Sequence, residues 1–176
     1  MMDGGGTRLT GELREHRDEQ GNPEDPARRM LDDATHTPWP LFPGPQAVRE
    51  RAGLLAFLAR LTGASRIVEV GTLAGLPARC LEGELPPDGT LLTVTGPDAL
   101  ATLRALPDEP HLDLVVVGAD ADPVASWDEL VPRARRGALL VVDAAAGELP
   151  ARVAADDRVD SVPVTTTAGL SLARRR

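Results

Sequence analysis

The sequence predicts an α/β fold: a mostly parallel sheet with helices on its faces and an antiparallel hairpin at its C-terminal edge. Two continuous apolar runs, Leu114-Val115-Val116-Val117 and Leu139-Leu140-Val141-Val142, read as strands buried on both faces, the mark of a parallel sheet. Strand and helix patterns alternate before and between these runs, which calls for right-handed crossovers. The last two strand patterns, 158–164 and 170–174, are joined only by Thr165-Thr166-Thr167-Ala168-Gly169. That link is too short for a crossover, so the pair forms a hairpin.

The elements can be justified in order. At 176 residues the chain fits one domain with a real core, preceded by a tail: 1–37 as a flexible acidic segment, 38–176 as the domain. Residues 1–38 hold nine acids against five arginines, a net of −4, with little apolar periodicity beyond one short helix near 26–33. In 37–45 four prolines rule out a helix; Trp39 and Phe42 there would cover an edge of the fold, or a pocket. From 46 to 61, Val48, Leu54, Leu55, Leu58 and Leu61 recur at helical spacing. Strand 67–70, helix 77–85, a turn at Pro86-Pro87-Asp88-Gly89 and strand 90–94 follow. Helix 98–106 starts with Asp98 as its N-cap. After strand 112–117, helix 123–134 has Asp122 as N-cap and Pro123 at its first position. Arg133, Arg135 and Arg136 close it, where cations suit the helix dipole. Strand 138–142, a short helix near 148–155 and the hairpin complete the chain.

Composition excludes several classes. A net charge of −8 argues against nucleic acid as a partner. No run of eighteen or so apolar residues exists to span a membrane, and Met1-Met2-Asp3-Gly4-Gly5-Gly6 lacks the apolar core of a signal peptide, so a cytoplasmic location is expected. The single cysteine, Cys80, falls among Leu76, Leu81 and Leu85 and reads as a packed, inert thiol; no Cys/His cluster has zinc spacing. Every basic residue is Arg, so lysine cannot serve as a base or a Schiff-base amine.

The chemistry points to Arg66-Ile67-Val68-Glu69-Val70-Gly71-Thr72-Leu73-Ala74-Gly75-Leu76-Pro77. A strand enters a glycine turn and a helix follows, which aims backbone N–H groups at the space above the strand's carboxyl end. Glu69 adds a carboxylate suited to an ammonium-bearing ligand. Acid-x-Gly-x-x-x-Gly is more typical of S-adenosylmethionine (SAM) sites than of the dinucleotide fingerprint, which has a third glycine and a later acid.

From about Pro43 to the C-terminus, three quarters of the chain, the sequence resembles the bacterial caffeoyl-CoA/catechol-type O-methyltransferases. The resemblance rests on 61–72, on Leu85-Pro86-Pro87-Asp88-Gly89-Thr90-Leu91-Leu92-Thr93-Val94, on 111–120 and 136–143, and on Ala168-Gly169-Leu170-Ser171-Leu172-Ala173-Arg174. It implies a reduced class I methyltransferase (Rossmann-like) fold, in the family's order 2-1-4-5 plus the terminal hairpin. It also implies that Glu69, Gly71, Thr72 and Gly75 line the methionine end of SAM, with Thr95 and Gly118 elsewhere in the cofactor site.

Departures from the family gather downstream. Pro77 replaces a Ser, losing a hydroxyl and a backbone donor. The acid that holds the ribose hydroxyls is Thr95; Asp98 lies nearby, with capping its helix as the expected role. Between Asp98 and His111 there is room for one helix where the family has helix, strand and helix, removing part of the adenine wall. The family's metal ligands, an Asp and an Asp-Asn pair, correspond to Gly118 and Asp143-Ala144, and its lysine to Ala121. Asp120 and Asp143 are vestigial metal candidates, and the loop after strand five shrinks to Ala144-Ala145-Ala146-Gly147. Of the histidines, His16 and His36 lie in the N-terminal region and His111 at the wrong end of a strand, leaving Asp143 as the weak catalytic candidate.

Three readings stay open. The first is a degenerate methyltransferase homologue acting as a binding or interaction module. The second is an active, metal-independent O-methyltransferase working by proximity and orientation on a small-molecule acceptor. The third is a small dinucleotide-binding protein. SAM affinity is expected to be weak or lost, no metal is expected, and a homodimer is compatible with all three.

Overall fold

The computed structural model describes residues 45–71, 76–119, 122–143, 145–164 and 169–176. The expected tail 1–37, its helix at 26–33, and Trp39 and Phe42 lie outside the described residues. The elements run α1 (Pro45–Thr62), β1 (Arg66–Val70), α2 (Leu76–Glu82), β2 (Thr90–Val94), α3 (Ala99–Arg104), β3 (Leu112–Val117), α4 (Pro123–Arg133), β4 (Ala134–Asp143), α5 (Leu149–Ala154), β5 (Val159–Val164) and β6 (Leu170–Arg175). The sheet order is β2-β1-β3-β4-β6-β5. Its first four strands are parallel, and β6 runs antiparallel to both β4 and β5. This is the predicted sheet with its predicted hairpin.

Strand periodicity sorts the core into two layers. Val68, Val70, Val115, Val117, Leu140 and Val142 pack against Ala99 and Leu103 of α3, Trp127, Leu130 and Val131 of α4, and Leu149 and Val153 of α5. On the opposite face Ile67, Leu114, Val116, Val141 and Leu170 meet Leu55, Leu58 and Ala59 of α1 and Leu81 of α2. All six residues of β3 are buried, as its unbroken apolar run requires. The edge strands differ: β2 is half exposed, and β5 is largely exposed and carries Pro163, a residue that sheets tolerate at their edges.

Several expectations need correcting. Leu61 is 68% exposed, because α1 turns its Leu55, Leu58 and Ala59 arc to the sheet and ends at once, through bonds from Gly63 N–H to Arg60 O and Ala64 N–H to Ala59 O. Cys80 is buried as expected, but its neighbours are Ala52, Ala56 and Val48 of α1, since α2 presents that side to α1 and Leu81 to the sheet. Asp98 stands at the N-cap of α3 yet makes no side-chain capping bond, whereas Asp122 accepts from Ala125 N–H at 2.9 Å.

The largest correction concerns β4, which begins at Ala134 rather than at 138, directly after α4. Arg135 and Arg136 therefore belong to a strand and not to a helix end. The register with β3 jumps between Leu112↔Ala134 and Leu114↔Leu139, so the intervening residues bulge. Asp113 explains the detour. Its carboxylate is buried, accepts from Ser65 N–H, Ser65 Oγ and Arg66 N–H, and pairs with Arg135 Nε at 2.6 Å.

Candidate functional site

The strand order defines where a ligand can enter. β1 is flanked by β2 and β3, and the helices that follow β1 and β3 lie on opposite faces of the sheet, α2 on the α1 side and α4 on the other. The topological switch point therefore lies between the carboxyl ends of β1 and β3, the position at which open α/β sheets bind ligands.

Two glycines meet at this point. Gly71 leaves β1 with φ +71°, a conformation that only glycine adopts without strain, and its N–H donates to Val94 O at 3.0 Å. Gly118 leaves β3 with its N–H on Val70 O at 2.8 Å. A Cβ at Gly118 would stand 2.7 Å from the Gly71 carbonyl oxygen, well inside any normal contact. The two loop starts touch, and this contact requires glycine at 118.

Glu69 is fully buried and in register with Val116, on the face covered by α1 and α2. Thr95, just beyond β2, is exposed. Thr72, Gly75 and Asp120 lie outside the described residues. His111 precedes β3 at the amino ends, its Nδ1 2.7 Å from Glu109 O, where the sequence placed it.

Asp143 ends β4 and is 13% exposed. Its Oδ1 accepts from Ala145 N–H at 2.9 Å, and its Oδ2 accepts from Nη1 of Arg51. Arg51 lies one turn before Leu55 on α1 and is itself only 15% exposed. Sequence reasoning missed this residue. The signal was available: a cation at i−4 from Leu55, within the stripe that faces the sheet. Among the described residues no group of three or more His, Cys, Asp or Glu is arranged to hold a metal ion.

No family model matches the chain, and no curated protein does. Solved structures do. The chain is similar to a methyltransferase of Podospora anserina, solved with SAH bound, at TM-score 0.72 and 14% identity over 100% of this chain and 99% of that one. An O-methyltransferase of Streptomyces achromogenes involved in tomaymycin synthesis, solved in complex with SAM, matches at TM-score 0.65 and 24% identity over 93% and 96%. An O-methyltransferase of Bacillus cereus in complex with SAH matches at TM-score 0.66 and 16% identity over 94% and 97%. At these identities the likeness establishes the fold, a Rossmann-like methyltransferase fold. Among the described residues no helix is long and apolar enough to cross a membrane.

Proposed function

We propose that this chain binds SAM at the β1–β3 switch point and acts without a metal ion as an O-methyltransferase on a small-molecule acceptor. The observation that carries the metal-free part is the engagement of Asp143. Its charge is already paired with the guanidinium of Arg51, and its other oxygen accepts from a backbone N–H. Gly118, which stands where the family resemblance implies a further Asp ligand, has no room for a side chain. A divalent cation would have to displace the Arg51 guanidinium from Asp143 and would find no ligand at 118, so these two positions do not fit one.

The fit to SAM rests on the glycines that end β1 and β3, where no side chain keeps a ligand from the main chain. Bound SAM would supply an electrophilic methyl group to an acceptor oxygen that had released its proton to solvent, with the S–C electron pair returning to sulfur. The protein's contribution is orientation. Exposed Thr95 in place of a ribose-binding acid predicts weak affinity, since each lost hydrogen bond removes about 1 kcal/mol.

A second reading, the binding or interaction module, is favoured by the absence of a well-placed general base at the strand ends among the described residues. Calorimetric titration with SAM, S-adenosylhomocysteine (SAH) and NAD separates the readings. Binding of SAM and SAH but not NAD is expected, tightened by Thr95→Asp, and thermal midpoints with Mg²⁺ and with a chelator should coincide. No binding of any of the three would leave the module.

A further inference from the structure

The guanidinium of Arg51 is half used. Nη1 is held by Asp143, whereas Nε and Nη2 are buried and have no hydrogen-bond partner among the described residues. Buried donors without partners are rare and costly, and a ligand that accepts from them removes that cost. Nε and Nη2 form the side edge of the guanidinium, whose two N–H bonds run parallel and match the two oxygens of a carboxylate.

The molecule uses this same edge elsewhere. Arg60 donates from Nε and Nη2 to the two oxygens of Glu84 at 2.8 and 2.6 Å. Arg158 donates from the same pair to Asp156 at 2.8 and 2.6 Å. At Arg51 this edge has no partner among the described residues, and through Nη1 the side chain reaches Asp143 at the end of β4, at the carboxyl ends of the strands where open α/β sheets bind ligands.

We propose that Arg51 is the recognition residue for a carboxylate-bearing acceptor: Asp143 fixes the guanidinium through Nη1, and Nε and Nη2 receive the acceptor's carboxylate. This rests on the proposed methyltransferase function and names its substrate class, a hydroxy acid whose carboxylate is bound and whose hydroxyl oxygen is methylated. Asp143 is then a positioning residue that acts through Arg51. The structural alternative is that Glu69, the buried acid on the same sheet face, fills the edge.

The test uses the full chain and two matched series, 2-, 3- and 4-hydroxybenzoate and the corresponding hydroxybenzamides, titrated by calorimetry with and without saturating SAH. At least one acid should bind about tenfold more tightly than its amide. Arg51→Met should reduce that preference to about twofold or less while leaving SAH affinity unchanged. Arg51→Lys, which keeps the charge but not the fork, should fall between, and it decides the matter if Arg51→Met does not fold. The proposal is overturned if no acid is preferred over its amide, if the preference survives in Arg51→Met, or if Arg51→Lys retains it in full. It is equally overturned if Glu69→Gln alone opens the site to acids, which would make Glu69 the natural occupant. A chain that takes no SAH refutes the methyltransferase reading instead, and the titrations without SAH still decide Arg51.

Discussion

The two ends of the sheet are built differently. At the amino ends, buried charges are saturated. Asp113 takes three bonds from Ser65 and Arg66 besides Arg135. Arg133 reaches Pro107 O, Glu129 and Asp108. Asp156 accepts from Trp127 Nε1 at 2.9 Å and from Arg158 and Arg152. At the carboxyl ends stand bare glycine turns, an exposed Thr95 and an arginine with two donors unspent. One end fixes the strands; the other leaves binding capacity open. Polar groups that satisfy each other stabilise a fold, and those left unmatched at a strand-end crevice mark where a ligand belongs.

This contrast is sharpest at Asp156. Asp156→Ala strips Trp127 Nε1 and Arg158 of a shared buried partner and should cost about 3–5 kcal/mol in denaturant unfolding. The acid limb of the stability curve should report the same group. Hydrogen bonds from Arg158, opposed by burial and joined by Trp127, hold the Asp156 carboxyl well below its ordinary 3.8. Burial alone would raise Asp113, but the Ser65 and Arg66 bonds and the Arg135 charge outweigh it and lower it too. Both pKa values are depressed in the folded state, so their stabilisation is complete above about pH 4 and is lost as pH falls below that. Asp156→Asn should flatten that loss. A mutant as acid-sensitive as the parent would break the assignment.

At the carboxyl ends the expected costs are smaller. Gly118→Ala forces a Cβ onto the Gly71 carbonyl oxygen and should cost about 1–3 kcal/mol by overpacking, with SAM binding lost alongside because the crevice itself is displaced. Arg51→Met keeps the apolar stem and removes two donor atoms that have no partner among the described residues, but it also leaves Asp143 without its cation, so its stability cost should be about 2 kcal/mol, below that of Asp156→Ala. If it equals that of Asp156→Ala, the two ends are alike and the contrast fails. The smallest effect calibrates the rest: Arg60→Ala removes a bidentate but exposed pair and should cost under about 1 kcal/mol, less in high salt.

How far the sequence could be read follows from the range of the interactions involved. The strands β1, β2 and β3, the hairpin and the Asp122 cap are local patterns, and each formed where the periodicity put it. The extension of β4 through Arg135 was illegible because its cause, Asp113, is a partner on another strand. Arg51 was visible as a cation within the stripe of α1 that faces the sheet, but its role depends on Asp143, far along the chain. Among the site residues, the turn at Gly71 was legible as a strand end, whereas the burial of Glu69 depends on which face α1 covers, and nothing in the motif itself specifies that.

The contact between Gly71 and Gly118 also constrains the order in which this sequence can change. A side chain at 118 meets backbone, not a flexible neighbour that could swing aside. An acid placed there first would be selected against as a packing fault before it could serve as a ligand. The Gly71 loop would have to withdraw beforehand, a change with no benefit of its own until the acid arrives. Neighbouring substitutions of this kind are strongly non-additive. Single steps therefore do not readily lead to a side chain at 118.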